Sequence, residues 1–189
     1  MELSREAIVE GLQRLIGPDN VVTDEQFLRQ RSIDNFRKLE NIFGVYTMPV
    51  PAAVAMVRST QEAAAVLAFA DANAINVVPR TGGTATEGGL ETVVENSIVL
   101  DGSRMDRILG LDPVNMQATC QCGVPLQALE DRARELGLTT GHSPHRGSGR
   151  QTVAPRSIRH WFHAQLSSGG TAASAAACTC AAASRRHEC

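Results

Sequence analysis

The stretch whose composition points to chemistry is Arg80-Thr81-Gly82-Gly83-Thr84-Ala85-Thr86-Glu87-Gly88-Gly89. It packs four glycines into eight residues, in two pairs. Without Cβ atoms in the way, the backbone N–H groups of such a loop can turn toward an anion, which is how loops cradle phosphate. Arg80 would neutralise phosphate charge there, or stand as a solvated loop residue. The stretch is not a Walker A motif, because no Lys-Ser/Thr pair follows the glycines to meet a terminal phosphate and magnesium. Nor does it match the G-x-G-x-x-G dinucleotide fingerprint, and no helical pattern starts inside it. On the residues alone two readings stay open, a tight connection and a site for a phosphate-bearing ligand.

The five cysteines offer less. Cys120 and Cys122 alternate with Thr119 and Gln121 in a strand-like stretch from Met116 to Val124, so both are expected to face one side of a sheet as buried thiols. Cys178, Cys180 and Cys189, with His160, His163 and His187 nearby, lack the paired C-x2-C units of a zinc site, and no metal is expected. An odd number of cysteines without an export signal also argues against a disulfide framework.

The loop must be positioned by the elements around it. Ile8, Val9, Leu12, Leu15 and Ile16 fall on one face at helical spacing over residues 4–16, with Gly17-Pro18 as a stop. Residues 19–48 are polar with isolated aromatics and read as a short helix and loops. Val50 to Val57 reads as a strand, and Ser59-Thr60-Gln61-Glu62 has the spacing of a capping box opening a helix to about Asn73, with Val66, Leu67 and Ala70 buried. Ile75 to Pro79 then makes a second strand, completing a βαβ unit with parallel strands. The glycine loop follows that strand directly, where α/β folds place ligands. Further strands are expected at Ser97 to Asp101, Met105 to Leu111 and Met116 to Gly123. Pro125 opens a last helix that buries Leu126, Leu129, Ala133 and Leu136 before Gly137 caps it.

Composition bounds the class. A chain of 189 residues with 43 % hydrophobic and 20 % charged residues and a net charge of -2 is long enough for one globular core and has no general pull on nucleic acid or anionic membrane. It has no apolar run long enough to span a bilayer and no basic-then-apolar signal at Met1-Glu2-Leu3, so a cytoplasmic location is expected. The average hides a break. Residues 1–145 carry 12 basic and 19 acidic side chains, a net of -7, whereas residues 146–189 carry six arginines and one acid, Glu188, a net of +5. The second piece also holds ten alanines and six serines, with few large apolar side chains, and is not expected to bury a core of its own.

The order Val50-Pro51-Ala52-Ala53-Val54, Ser59-Thr60-Gln61-Glu62, Val77-Val78-Pro79-Arg80-Thr81-Gly82-Gly83-Thr84, Gly88-Gly89, Ile98-Val99-Leu100-Asp101, Met105-Asp106-Arg107-Ile108, Gln121-Cys122-Gly123-Val124 and Gly141-His142-Ser143-Pro144 resembles the FAD-linked oxidase family, of the vanillyl-alcohol oxidase type. The likeness runs over roughly residues 20–145 and rests on the order of many short motifs. It implies an α+β fold, an incomplete PCMH-type FAD-binding domain with an N-terminal subdomain around the βαβ unit and the start of a second subdomain. It divides the chain into a helical segment at 1–48, the partial FAD domain at 49–145 and a basic tail at 146–189.

The resemblance also implies roles. Pro79, Arg80, Thr81, Gly82, Gly83 and Thr84 would wrap the FAD pyrophosphate through backbone amides, and Gly88 and Gly89 would let the chain pass close to the cofactor. Gln121, Gly123, Gly141, His142, Ser143 and Pro144 would lie along the flavin side. Relatives that attach FAD covalently use a His in the glycine loop; here Thr81 and Thr84 stand there, so noncovalent FAD is implied. The parent reaction would be hydride transfer to FAD from a 2-hydroxy acid such as glycolate or D-lactate. The alternative from a different class is a noncatalytic phosphate- or nucleotide-binding module.

After Ser143-Pro144 the resemblance stops. The family continues with a Gln-Ser pair and a second glycine-rich segment, whereas this chain reads His145-Arg146-Gly147-Ser148-Gly149-Arg150. Arg outnumbers Lys 17 to 1, as in GC-rich coding DNA, and such DNA read out of frame yields the Ala, Arg, Ser and Cys mixture of the tail. A frameshift near His145 is therefore expected, with a poorly ordered tail and no cap domain to supply catalytic residues.

Overall fold

The computed structural model describes residues 3–34, 48–85, 88–140, 162–165 and 167–168. At its centre is a four-stranded sheet built from β1 (Val21–Val22), β2 (Ala53–Met56), β3 (Val77–Arg80) and β4 (Ile98–Asp101), in the order β1-β2-β4-β3. β2 and β3 both run parallel to β4, and β1 closes the opposite edge antiparallel to β2. The strand-helix-strand unit thus has parallel strands, as expected, with β4 inserted between them.

Alternation along the strands sends side chains to two cores. Ala53, Ala55, Ile98 and Leu100 pack against Ile8, Leu12 and Ile16 of α1 (Arg5–Ile16) and Ala63, Val66 and Ala70 of α3 (Thr60–Ala72). Val54, Val78 and Val99 face the other way, against Leu28 and Phe27 of α2 (Glu25–Arg31). Helices on both faces explain why β4 is buried at all four positions and reads as a continuous apolar run.

Caps set the helix starts. Ser4 Oγ accepts from the Ala7 N–H at 3.3 Å, and Asp24 Oδ1 from the Phe27 N–H at 2.8 Å. At α3 Ser59 Oγ accepts from the Glu62 N–H at 3.2 Å, while Glu62 Oε2 accepts from the Arg58 N–H at 2.7 Å. The capping box therefore forms with its return bond one residue earlier than the usual pairing to the cap. Three leucines depart from expectation: Leu15, Leu67 and Leu136 are 42 %, 37 % and 42 % exposed. Helical periodicity marks the centre of a buried stripe better than its edges, and Leu136 lies past the end of its helix.

A second layer follows. β5 (Ile108–Asp112) and β6 (Gln117–Cys120) form an antiparallel hairpin, packed through Ala118 and Cys120 against Leu129 and Ala133 of α4 (Leu126–Arg134). β6 starts at Gln117 and not at Met116, which has φ +52° and belongs to the turn. Pro125 stands at the N-cap of α4, one position before the site expected for it. β7 (Leu138–Thr139) comes next. In the tail, for which no elements were expected, β8 (Phe162–Gln165) adds antiparallel to β6 and β9 (Ser167–Ser168) to β7. Gly141, His142, Ser143, Pro144, the expected boundary at residue 145 and the C-terminal cysteines lie outside the described residues.

Glu130 joins α4 to the strand beyond it. Its Oε1 accepts from Thr139 Oγ1 at 2.7 Å, its Oε2 accepts from the Thr140 N–H and Oγ1 at 2.8 and 2.6 Å, and Arg134 Nε lies 2.8 Å from Oε1. Burial pushes the carboxyl up, but the Thr140 bonds, then those of Thr139 and the charge of Arg134, outweigh it and hold the group below its ordinary value.

Two outcomes follow from this packing. Leu12→Ala should cost about 2–5 kcal/mol in urea unfolding, while Leu15→Ala on the same helix should change stability by about 0.5 kcal/mol or less. A carboxyl held below its ordinary value of 4.5 contributes stability that is complete above that pH and lost as pH falls through the lower folded-state value. The wild-type chain should therefore lose stability on acidification below about pH 4.5 more steeply than Glu130→Gln, as read by the unfolding midpoint at each pH.

Candidate functional site

Parallel strands end on one side of the sheet, and β3 and β4 end there with Arg80 and Asp101, which are register partners. The turn after β4 is tied to the strand beside it by the Gly102 N–H, which donates to Arg80 O at 2.9 Å. From this edge the glycine loop departs. Pro79 is exposed on β3, Thr81, Gly82, Gly83 and Thr84 are half-buried, and Arg80 is only 6 % exposed. The loop sits at the carboxyl ends of parallel strands, the side on which open α/β sheets bind ligands.

The Arg80 guanidinium lies under the loop. A Cβ on Gly83 would stand 2.7 Å from Arg80 Nη2, and Gly83 has φ +68°, a conformation that L side chains rarely adopt. Arg80 Nη1 donates to Arg31 O at 3.4 Å, but its buried Nε has no hydrogen-bond partner among the described residues. Burial pulls its pKa down to about 10, Arg31 adds to the fall and Asp101 opposes it, so the group keeps its charge at neutral pH. Asp101 is fully buried: Oδ1 accepts from the Ser103 N–H at 2.9 Å, and Oδ2 lies 3.8 Å from Arg31 Nη1. Arg80 and Arg31 thus share the loop edge with the buried Asp101.

Gly88 has φ +80°, and its N–H donates to Asp34 Oδ2 at 2.5 Å. Gly89 is exposed, and a Cβ there would meet only Ala85 at an ordinary 3.8 Å. Gly123 belongs to the same edge for a steric reason. A Cβ on it would lie 2.4 Å from Gly102 O, 2.8 Å from Ser103 O and 2.9 Å from Met105 O, all backbone atoms. Gln121 is turned to a different task, since its Oε1 accepts from the Arg107 N–H at 3.0 Å and from Arg107 Nε at 3.3 Å.

Cys120 and Cys122 are both buried, but they do not share a face as expected. β6 ends at Cys120, which packs in the α4 core, and Cys122 lies beyond the strand in the core of the parallel sheet, with Sγ 3.8 Å from Gly102 O. Burial pushes the Cys120 thiol up to about 11, reinforced by Cys122, and also raises Cys122. Neither is a nucleophile at neutral pH. No cluster of metal-ligating side chains occurs among the described residues. A cavity of about 230 Å³ lined by Asn73, Asn76 and Glu95 lies at the amino ends of the strands, away from the loop.

Asp34, Arg31 and Asp101 were not among the residues expected at this site. The polar stretch from 19 to 48 carries no periodicity to mark the first two, and Asp101 reads as the last residue of an apolar strand.

Comparison with known proteins agrees with this geometry. Residues 51–154 match the FAD binding domain family. The FAD-linked oxidoreductase YgcU of Escherichia coli is 60 % identical over 144 residues, which is 76 % of this chain and 30 % of the relative. D-2-hydroxyglutarate dehydrogenase of Xanthomonas citri is 38 % identical over 90 residues, 48 % of this chain and 19 % of the relative. D-lactate dehydrogenase of Archaeoglobus fulgidus is 38 % identical over 95 residues, 50 % and 20 % of the two chains. Among solved structures, alkyldihydroxyacetonephosphate synthase superposes with a TM-score of 0.66 at 22 % identity, covering 76 % of this chain and 27 % of that one, a likeness of fold. The chain spans at most 30 % of the length of these curated relatives. Among the described residues no helix is long and apolar enough to cross a membrane.

The crowding at Gly123 is testable apart from any ligand. Gly123→Ala places a methyl group against three backbone oxygens that cannot rotate away, and should destabilise the chain by about 1–3 kcal/mol in urea unfolding. Gly89→Ala should leave the unfolding midpoint within about 0.5 kcal/mol of wild type.

Proposed function

The chain belongs to the FAD binding domain family, and from that premise we propose that its Pro79–Thr84 loop holds the diphosphate of a noncovalently bound FAD in the oxidation of a 2-hydroxy acid such as glycolate or D-lactate. The observation that carries the site is Arg80, a buried guanidinium with an unpartnered Nε beneath a loop whose Gly83 leaves no room for a side chain. These residues fit the group. The loop can present amides to phosphate oxygens, the guanidinium supplies compensating charge in a region shielded from water, and Gly88 lets the backbone turn back toward the strand ends. Gly102 and Gly123 hold the neighbouring turn close, so that the edge facing the cofactor is formed by backbone.

The chemistry supplied by bound FAD is the two-electron oxidation of a substrate carbon. The described residues contribute binding and orientation. Among the described residues no side chain at the strand ends is placed to move a proton to or from a substrate: Asp101 is fully buried, with Oδ1 bonded to Ser103 and Oδ2 beside Arg31, and both described cysteines are held neutral. Support for a 2-hydroxy acid comes from the relatives named D-2-hydroxyglutarate dehydrogenase and D-lactate dehydrogenase. Noncovalent attachment is supported by the loop itself, which offers Thr81 and Thr84 and no histidine.

Titration of the chain with FAD, followed by flavin fluorescence, should give weak saturable binding, and acid precipitation should release all of the flavin. Gly83→Ala should weaken binding at least about tenfold, equivalent to about 1.4 kcal/mol. In a protein that carries this segment at the full length of its relatives, anaerobic addition of D-lactate or glycolate should bleach the visible flavin band. Binding without bleaching by any 2-hydroxy acid would favour the nucleotide-binding module, and absence of saturable binding would remove the site.

A further inference from the structure

Four residues at the end of α2, Arg31 to Asp34, lie outside the segment that matches the family and grip the glycine loop at two points and the chain just beyond it at a third. Arg80 Nη1, at the loop's beginning, donates to Arg31 O at 3.4 Å. Near its end, the Gly88 N–H donates to Asp34 Oδ2 at 2.5 Å. Three residues beyond it, the Thr92 N–H donates to Ser32 O at 3.0 Å, and Thr92 Oγ1 reaches Ser32 O and Pro49 O. The gripping segment is itself immobilised. Ser32, Ile33 and Asp34 are 4 %, 4 % and 1 % exposed, and the Arg31 side chain lies between Asp101, 3.8 Å away, and the Phe27 ring, 4.7 Å from its centroid.

A glycine-rich loop loses more conformational freedom on ordering than any other kind of segment, and a ligand that must order it binds correspondingly less well. Bonds that order the loop beforehand remove that penalty. Asp34 suits this part because a carboxylate accepts an amide N–H more strongly than a neutral group does, and it acts here on a glycine at positive φ. We propose that the Arg31–Asp34 segment is a positioning brace for the glycine loop, with Asp34 as its principal anchor, and that α2 thereby sets the affinity of the loop for the FAD diphosphate. The inference rests on the cofactor reading above.

The test pairs amide hydrogen exchange in the unliganded chain with FAD titration. Asp34→Ala should speed exchange of the Gly88 and Gly83 amides at least tenfold, leave the Val99 and Leu100 amides of β4 unchanged, and weaken FAD at least tenfold. Asp34→Asn, which keeps an acceptor oxygen, should recover most of both effects, a rescue that general destabilisation would not produce. If Asp34→Ala does not fold, Thr92→Val gives the same paired readout by removing the hydroxyl bonded to the Ser32 and Pro49 carbonyls. Unchanged loop exchange would overturn the brace, and faster exchange with unaltered FAD affinity would overturn its role in binding. Failure of the wild-type chain to take up FAD, with the exchange contrast intact, would instead count against the cofactor reading and support the brace.

Discussion

Arg80 is a cation held out of water at the last residue of a parallel strand, and the arrangement of the sheet edge is the consequence of keeping it there. Burying an isolated guanidinium would be prohibitive; Asp101, its register partner and itself fully buried, opposes part of that cost. Ser103 donates its N–H to one oxygen of that aspartate, where the chain bends back immediately after β4, and Arg31 of α2 stands 3.8 Å from the other, which has no hydrogen-bond partner among the described residues. The tight turn after β4 and the strap from α2 thus both meet this buried pair of opposite charges.

The turn after β4 carries a second constraint, since it is where the two layers meet. The Gly123 N–H donates to Met105 O at 2.7 Å, and its Cα lies so close to the backbone of residues 102–105 that no side chain could be accommodated. Cys122, one residue earlier, fills the core beneath the parallel sheet, while Val124, one residue later, fills the core beneath α4. Three consecutive residues therefore join both cores to the turn that Asp101 anchors. A shift of the hairpin layer would be transmitted to Gly102, whose N–H is bonded to Arg80 O, and so to the base of the glycine loop.

What the sequence disclosed and what it concealed follow one rule: local signals were legible, and tertiary ones were not. The capping serine at 59, the apolar runs at β2 and β4 and the glycine loop are each written in a few adjacent residues, and all appear where expected. Leu15 and Leu67 were assigned to cores because periodicity gives a direction for a helix face without saying how far the neighbouring layer extends. Cys120 and Cys122 alternate as strand residues should, but the strand stops between them, and the stop is dictated by the contact of Gly123 with a turn about 20 residues earlier, visible only in three dimensions. Asp34 was hidden most completely. A single carboxylate in a polar stretch has no periodicity, and its partner amide is 54 residues away.

The same rule explains why the glycine loop could be found while its chemistry stayed ambiguous until its surroundings were known. Glycines state that the backbone must do something side chains forbid; they do not say for whom. A mere connection would need positive φ at a residue or two and nothing beneath it. Here the loop stands over a buried, incompletely bonded guanidinium, and a tight connection with no ligand would leave that desolvated donor without a purpose or a partner. On the reading proposed above, an anion resting on the loop would answer that unpartnered donor. The proposal of a phosphate-bearing ligand at this loop therefore rests on Arg80 as well as on the glycines, which leave the backbone open to one.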